Sequence, residues 1–137
     1  MKSQDILLLL YLINKLEKVE GRKRLQKLIY ILKNVYNIPF TFLFRPYYYG
    51  PYSDELSEAV DSLRSVDAIG EELVERSSGI YQYNYVIYDK GRSILQNQLQ
   101  GTQTIIDRLD IAIEKLRDID TWKLVTISKK IQSKDSE

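Results

Sequence analysis

Arg22, Lys23, Arg24 and Lys27 set four cations on about one and a half helical turns, a spacing suited to phosphate groups, whose pairing with Lys and Arg gives a salt-dependent affinity. With Arg76, Lys90 and Arg92 further along, they make a candidate nucleic-acid-binding set. Glu17 and Glu20 lie one turn before the run, so a solvated, partly paired helix face is the other reading. The tyrosines pose the same choice. Tyr47, Tyr48, Tyr49 and Tyr52 stand in the connector Phe44-Arg45-Pro46-Tyr47-Tyr48-Tyr49-Gly50-Pro51-Tyr52-Ser53. They suit either a stacking or protein-binding platform, or plugs in a helix junction with their hydroxyls at the rim. Tyr81, Tyr83 and Tyr85 share one face of a strand by period two, and in a two-stranded hairpin that row is expected to be exposed to a partner.

Residue types that carry out reactions are scarce. The chain has no Cys and no His, which excludes disulfides and thiolate chemistry and removes the usual general base and the commonest transition-metal ligand. Asp54, Glu55, Glu58 and Asp61 include i, i+3 and i+4 pairs that suit a hard cation. Hard-cation nuclease sites add a lysine on strands around a cleft, and that arrangement is missing. The carboxylates are therefore expected to form an acidic face, with Glu55, Glu58 and Asp61 as candidate contacts for a basic protein. Lys90-Gly91-Arg92 is a turn into a helix, since no second glycine follows at P-loop spacing. The expectation is a binding protein with no catalytic residue, metal or cofactor.

At 137 residues, 44% hydrophobic and 28% charged, the sequence fits one soluble domain, expected over residues 1–132 with a frayed tail at 133–137. The apolar run from Ile6 to Ile13 spans eight residues, where a membrane helix needs roughly 20, and its flanks do not suit a signal peptide. A cytoplasmic location without membrane contact is expected. The net charge of +1 hides an ordering: residues 1–50 carry nine basic and three acidic side chains, residues 51–89 two and nine, and residues 90–137 nine and seven. Separated fields of this kind steer partners even at near-zero total charge.

These side chains must be positioned by regular elements. Periodicity predicts a buried helix over 4–19 and a second after Gly21, with Leu25, Leu28, Ile29 and Leu32 inward and the cations outward. Phe40 to Phe44 reads as a short strand. Ser53 caps a third helix with Leu56, Ala59, Val60 and Leu63 inside, ended by Gly70. Strands at Leu73–Arg76 and Tyr81–Tyr88 flank a Ser77-Ser78-Gly79 turn. A fourth helix follows Asp89, interrupted near Gly101 and reaching Leu116, and a last one covers about Thr121 to Ile131.

That order is α+β, mostly helical: a winged-helix-like domain with a β-hairpin wing and extra C-terminal helices. The segments Gly21-Arg22-Lys23-Arg24-Leu25-Gln26-Lys27-Leu28-Ile29-Tyr30 and Tyr49-Gly50-Pro51-Tyr52-Ser53 resemble the "LQKLxY … YGPYS" signature of YwgA-type proteins, themselves similar to the Panacea domain of SocA-type antitoxins. Phe44-Arg45-Pro46-Tyr47, Lys90-Gly91-Arg92 and Trp122-Lys123-Leu124 fit the same pattern, which covers most of residues 5–130. The resemblance implies a winged-helix-like fold without known enzymatic activity, in families associated with regulation or toxin neutralisation. Two functions follow as expectations. One is a DNA-associated transcriptional regulator that meets double-stranded DNA through the cations and wing tyrosines. The other is an antitoxin-like adaptor whose acidic third helix and tyrosine connector take a protein such as a toxin or regulator. A homodimer through the C-terminal helices is also expected.

Overall fold

The computed structural model, which describes residues 2–98 and 101–135, buries Leu7 to Leu10, Leu12 and Ile13 of α1 (Ser3–Leu16), as the near-continuous apolar run requires. Around α1 stand β1 (Val19–Glu20), α2 (Arg22–Asn34), α3 (Asp54–Ser65), β2 (Ile69–Ser77), β3 (Ile80–Ile87), α4 (Asp89–Gln98), α5 (Gln103–Leu116) and α6 (Thr121–Asp135). Among the described residues, helices account for 59%, and three strands form one antiparallel sheet in the order β1-β3-β2. The fold is thus α+β, mostly helical and winged-helix-like, with β2 and β3 as the wing.

α3 starts as its sequence predicts. Ser53 Oγ accepts from Leu56 N–H at 3.1 Å, with Asp54 and Glu55 in the first turn. It ends earlier than expected, at Ser65, because Asp67 takes a φ of 61° and Ala68 N–H turns back to Leu63 O at 2.9 Å. Gly70 lies inside β2 instead. The expected helix from Asp89 to Leu116 is two helices, broken where Gly101 takes a φ of 83°. α5 turns Ile106, Leu109, Ala112, Ile113 and Leu116 into this chain's own core. α6 continues past Ile131 to Asp135, and residues 136–137 of the expected tail lie outside the described residues.

The expected strand at Phe40–Phe44 does not form: among the described residues this segment pairs with none of the three strands. Side chains satisfy its backbone instead. Thr41 N–H donates to Asp5 Oδ1 at 2.8 Å, Leu43 N–H to Glu55 Oε1 at 2.6 Å, and Lys33 Nζ to Phe42 O. The buried Asp5 also accepts from the Thr41 hydroxyl, while Phe40 and Phe42 enter the core. Sheet pairing goes to β1, whose Val19 and Glu20 lie opposite Tyr85 and Asn84.

Candidate functional site

The two sequence motifs meet as an internal clamp. Gln26, buried in α2, donates from Nε2 to Ser53 O at 2.9 Å and accepts from Ser53 N–H at 2.8 Å. One residue on, Lys27 Nζ donates to Pro51 O at 2.7 Å. The connector between them turns tightly, with Gly50 N–H on Tyr47 O at 3.2 Å and a Gly50 φ of 94°. Arg45 and Tyr52 exchange backbone hydrogen bonds of 2.8 Å, and the Arg45 guanidinium grips Asp54 at 2.7 and 3.0 Å. That bidentate pairing holds the Asp54 carboxyl below its usual range. Tyr47 stacks between its neighbours, with ring centres 4.9 Å from Tyr48 and 5.1 Å from Tyr52. The segment that orients α3 is therefore fastened at both ends.

The basic face expected on α2 is engaged within the chain, and Lys27 is turned inward. Lys27 is only 2% exposed. Arg24 donates to Ile119 O at 2.5 Å and Arg117 O at 2.8 Å, closing carbonyls that follow α5. Arg22 bonds Glu71 at 3.0 Å, and Lys23 lies over the Tyr49 and Trp122 rings. Of the remaining expected cations, Arg76 pairs with Glu20 at 3.2 Å near the wing tip, while Arg92, on Asp89 at 2.6 Å, and the exposed Lys90 sit at the wing's base. A strand of this length puts tip and base about 25 Å apart, so these cations do not converge.

Burial leaves Lys27 with a depressed pKa of about 8 against an ordinary 10.5, and the Lys23 and Lys129 ammonium groups push the same way. Because the folded value is lower, the unfolded chain holds more protons between pH 8 and 10.5. In that window this group adds stability as pH rises. Burial and the Glu71 carboxylate raise the Tyr85 pKa, so its hydroxyl opposes the trend above about pH 10. Thermal unfolding from pH 7.5 to 9.5 is therefore expected to show the wild type gaining on Lys27→Met, by up to about 3 kcal/mol over the full window. Parallel curves would contradict the buried ammonium.

The wing also differs from expectation. Tyr81 and Tyr83 are 57% and 47% exposed, but Tyr85 is 1% exposed, because its ring lies between α2 and α3. Its hydroxyl donates to Glu71, which also receives Arg22 and Arg64. Leu73 stands opposite Tyr83 and Glu75 opposite Tyr81, so all four share the outward face. Along α3, Glu55, Glu58 and Asp61 are exposed as predicted. Glu55 and Glu58 line a groove of about 310 Å³ between α3, Thr41 and Phe42, and Lys2 and Asp5 at the start of α1. Among the described residues, no group of three or more acidic side chains could hold a metal ion, and no helix is long and apolar enough to cross a membrane.

Against known proteins, the chain is 35% identical over 80 residues to the uncharacterized protein YwgA of Bacillus subtilis (strain 168). It is similar to YwgA. The match takes in 58% of this chain and 47% of YwgA, so the chain spans about half the length of that relative. No family model matches. The clamp gives the YwgA-type motif a physical meaning in this chain: the Gln and Lys of LQKL hold the backbone of YGPYS. Sequence reasoning took the lysine for a surface cation and passed over Gln26, Asp5 and Trp122. For Gln26 a signal existed, an uncharged polar residue inside a repeated apolar motif.

Proposed function

We propose that the chain is a non-enzymatic binding module whose α3 and wing receive a protein partner with a basic surface. In DNA-binding helix-turn-helix proteins the recognition helix enters the major groove, flanked by phosphates. Here the corresponding surface presents Glu55, Glu58 and Asp61 on α3 with Leu73, Glu75, Tyr81 and Tyr83 on the wing, and that combination carries the reading. Carboxylates there repel a phosphate backbone but steer and pair with lysine and arginine. Exposed tyrosines supply contact area that loses little entropy on binding. Tyr47, Tyr48 and Tyr52, next to Asp54 through Arg45, extend the same surface.

The DNA-associated regulator is the second reading, supported by the winged-helix-like fold and by the exposed Arg76, Lys90 and Arg92. It is weakened by the internal bonds of Arg22, Arg24 and Lys27. A resemblance of the motif to the Panacea domain of SocA-type antitoxins would favour a protein partner, such as a toxin or regulator. Glu58→Lys combined with Asp61→Lys is expected to weaken capture of a basic partner from host extract by roughly tenfold or more. A labelled random duplex of about 30 base pairs should stay unbound at roughly 50 and 200 mM salt. Micromolar duplex binding that collapses at the higher salt would transfer the assignment to DNA.

A further inference from the structure

Three lysines converge on the turn Tyr49-Gly50-Pro51. Lys27 reaches it from α2 through its bond to Pro51 O. Lys23, one turn earlier, holds Nζ 3.6 Å from the centre of the Tyr49 ring and 4.1 Å from that of Trp122. Lys129 comes from α6, with its stem against Gly50, where an added Cβ would lie 3.1 Å from Lys129 Cγ. Among the described residues none of the three has an ion-pair partner. Pro51 O takes one of the three N–H donors of Lys27.

We infer that this cluster binds a phosphate-type oxyanion, contacted by Lys23 and Lys129 at the rim with the buried Lys27 supplying charge behind them. Like charges gathered in a partly desolvated place raise the free energy of the folded chain, and an anion among them reverses the sign of that contribution. Burial depresses the Lys27 ammonium most, and its two neighbours add to the effect. A tetrahedral phosphate offers oxygens to several point-charge donors from different directions, whereas a carboxylate presents only two in one plane. The Trp122 and Tyr49 rings, 5.8 Å apart, flank one side of the site. No α3 or wing residue takes part, so this site and the proposed partner surface can fail independently.

Trp122 is the single tryptophan, and its emission reports directly on the site. The full chain is titrated at pH 7 and constant ionic strength with inorganic phosphate and, in parallel, O-phosphoserine, with chloride as the control. Phosphate is expected to change Trp122 emission saturably and to raise the thermal unfolding midpoint. Lys129→Gln should weaken that binding roughly tenfold, as loss of one charged donor does. Lys134→Gln, which removes the same charge from the same helix away from the turn, should leave it unchanged. Tighter binding of phosphoserine would identify a phosphomonoester as the source, and tighter inorganic phosphate the free ion. The inference is overturned if neither emission nor midpoint responds beyond the chloride control, or if Lys134→Gln weakens binding as much as Lys129→Gln.

Discussion

Gln26→Ala is expected to lower the unfolding midpoint by about 10 °C or more, a loss on the order of 3–5 kcal/mol. The side chain is buried and answers both backbone polar groups of Ser53, which is itself fully buried. Alanine leaves the buried Ser53 N–H without a partner, at about 1–3 kcal/mol, removes one of two hydrogen bonds at Ser53 O, which keeps Ser57 N–H at 3.2 Å, and opens a small void beside them. Ser53 is also the residue whose hydroxyl caps α3, so the damage reaches the acidic surface. Gln26→Glu separates hydrogen bonding from packing. A carboxylate still accepts from Ser53 N–H but faces Ser53 O with a lone pair, which raises its pKa above the unfolded value. Its protonated form donates to that carbonyl, so the Gln26→Glu deficit should shrink as pH falls from 7 to 5. Circular dichroism melts at both pH values check this, and a Gln26→Ala midpoint within about 3 °C of wild type would remove the clamp from the account of stability.

How far the sequence reaches depends on whether a feature is local. Leu7 to Ile13, the α3 stripe Leu56, Ala59, Val60 and Leu63, and the Ser53 cap are local, and all three are where pattern and capping chemistry place them. β1 is two residues long and carries no period of its own; pairing with β3 creates it. Phe40 to Phe44 has strand composition, yet β propensity expresses a fit to neighbouring strands, and it has none. The largest misreading is α2. Its apolar stripe implies an outer face, and Lys27 falls on that face by spacing, but every residue from Leu25 to Leu32 is buried. The cover comes from the connector and α6, which join α2 from distant parts of the chain. The periodicity of one helix carries no trace of what a later helix places over its polar side. The candidate surface fared better where exposure follows from α3 alone, as for Glu58 and Asp61. It fared worse at Tyr85, whose ring α2 and α3 cover at the base of the hairpin, a packing the strand's own period does not reveal.

Gly91→Ala should be the second severe substitution, with a loss of about 3 kcal/mol or more, although glycine in a helix normally gains about 1 kcal/mol on becoming alanine. The sign is decided by space. Gly91 is buried in the first turn of α4, and an added Cβ would lie 2.2 Å from Ala68 O and 2.8 Å from Ile87 Cγ1. Ile87 can adjust its rotamer. The Ala68 carbonyl cannot, because it already accepts Tyr88 N–H at 3.0 Å where the wing joins α4. Relief therefore requires moving α4, which packs on α1, away from the sheet. Gly70→Ala supplies the contrast. Its Cβ would meet the Tyr88 ring at 2.0 Å, but that ring is the outer end of a half-exposed side chain able to swing into solvent, so about 1 kcal/mol is expected. Urea melts of the two variants rank these costs, and a stabilised Gly91→Ala would show that α4 does not sit against Ala68. A severe loss instead explains the Lys90-Gly91-Arg92 turn by contact distance: glycine is the residue that lets a helix start against a backbone carbonyl.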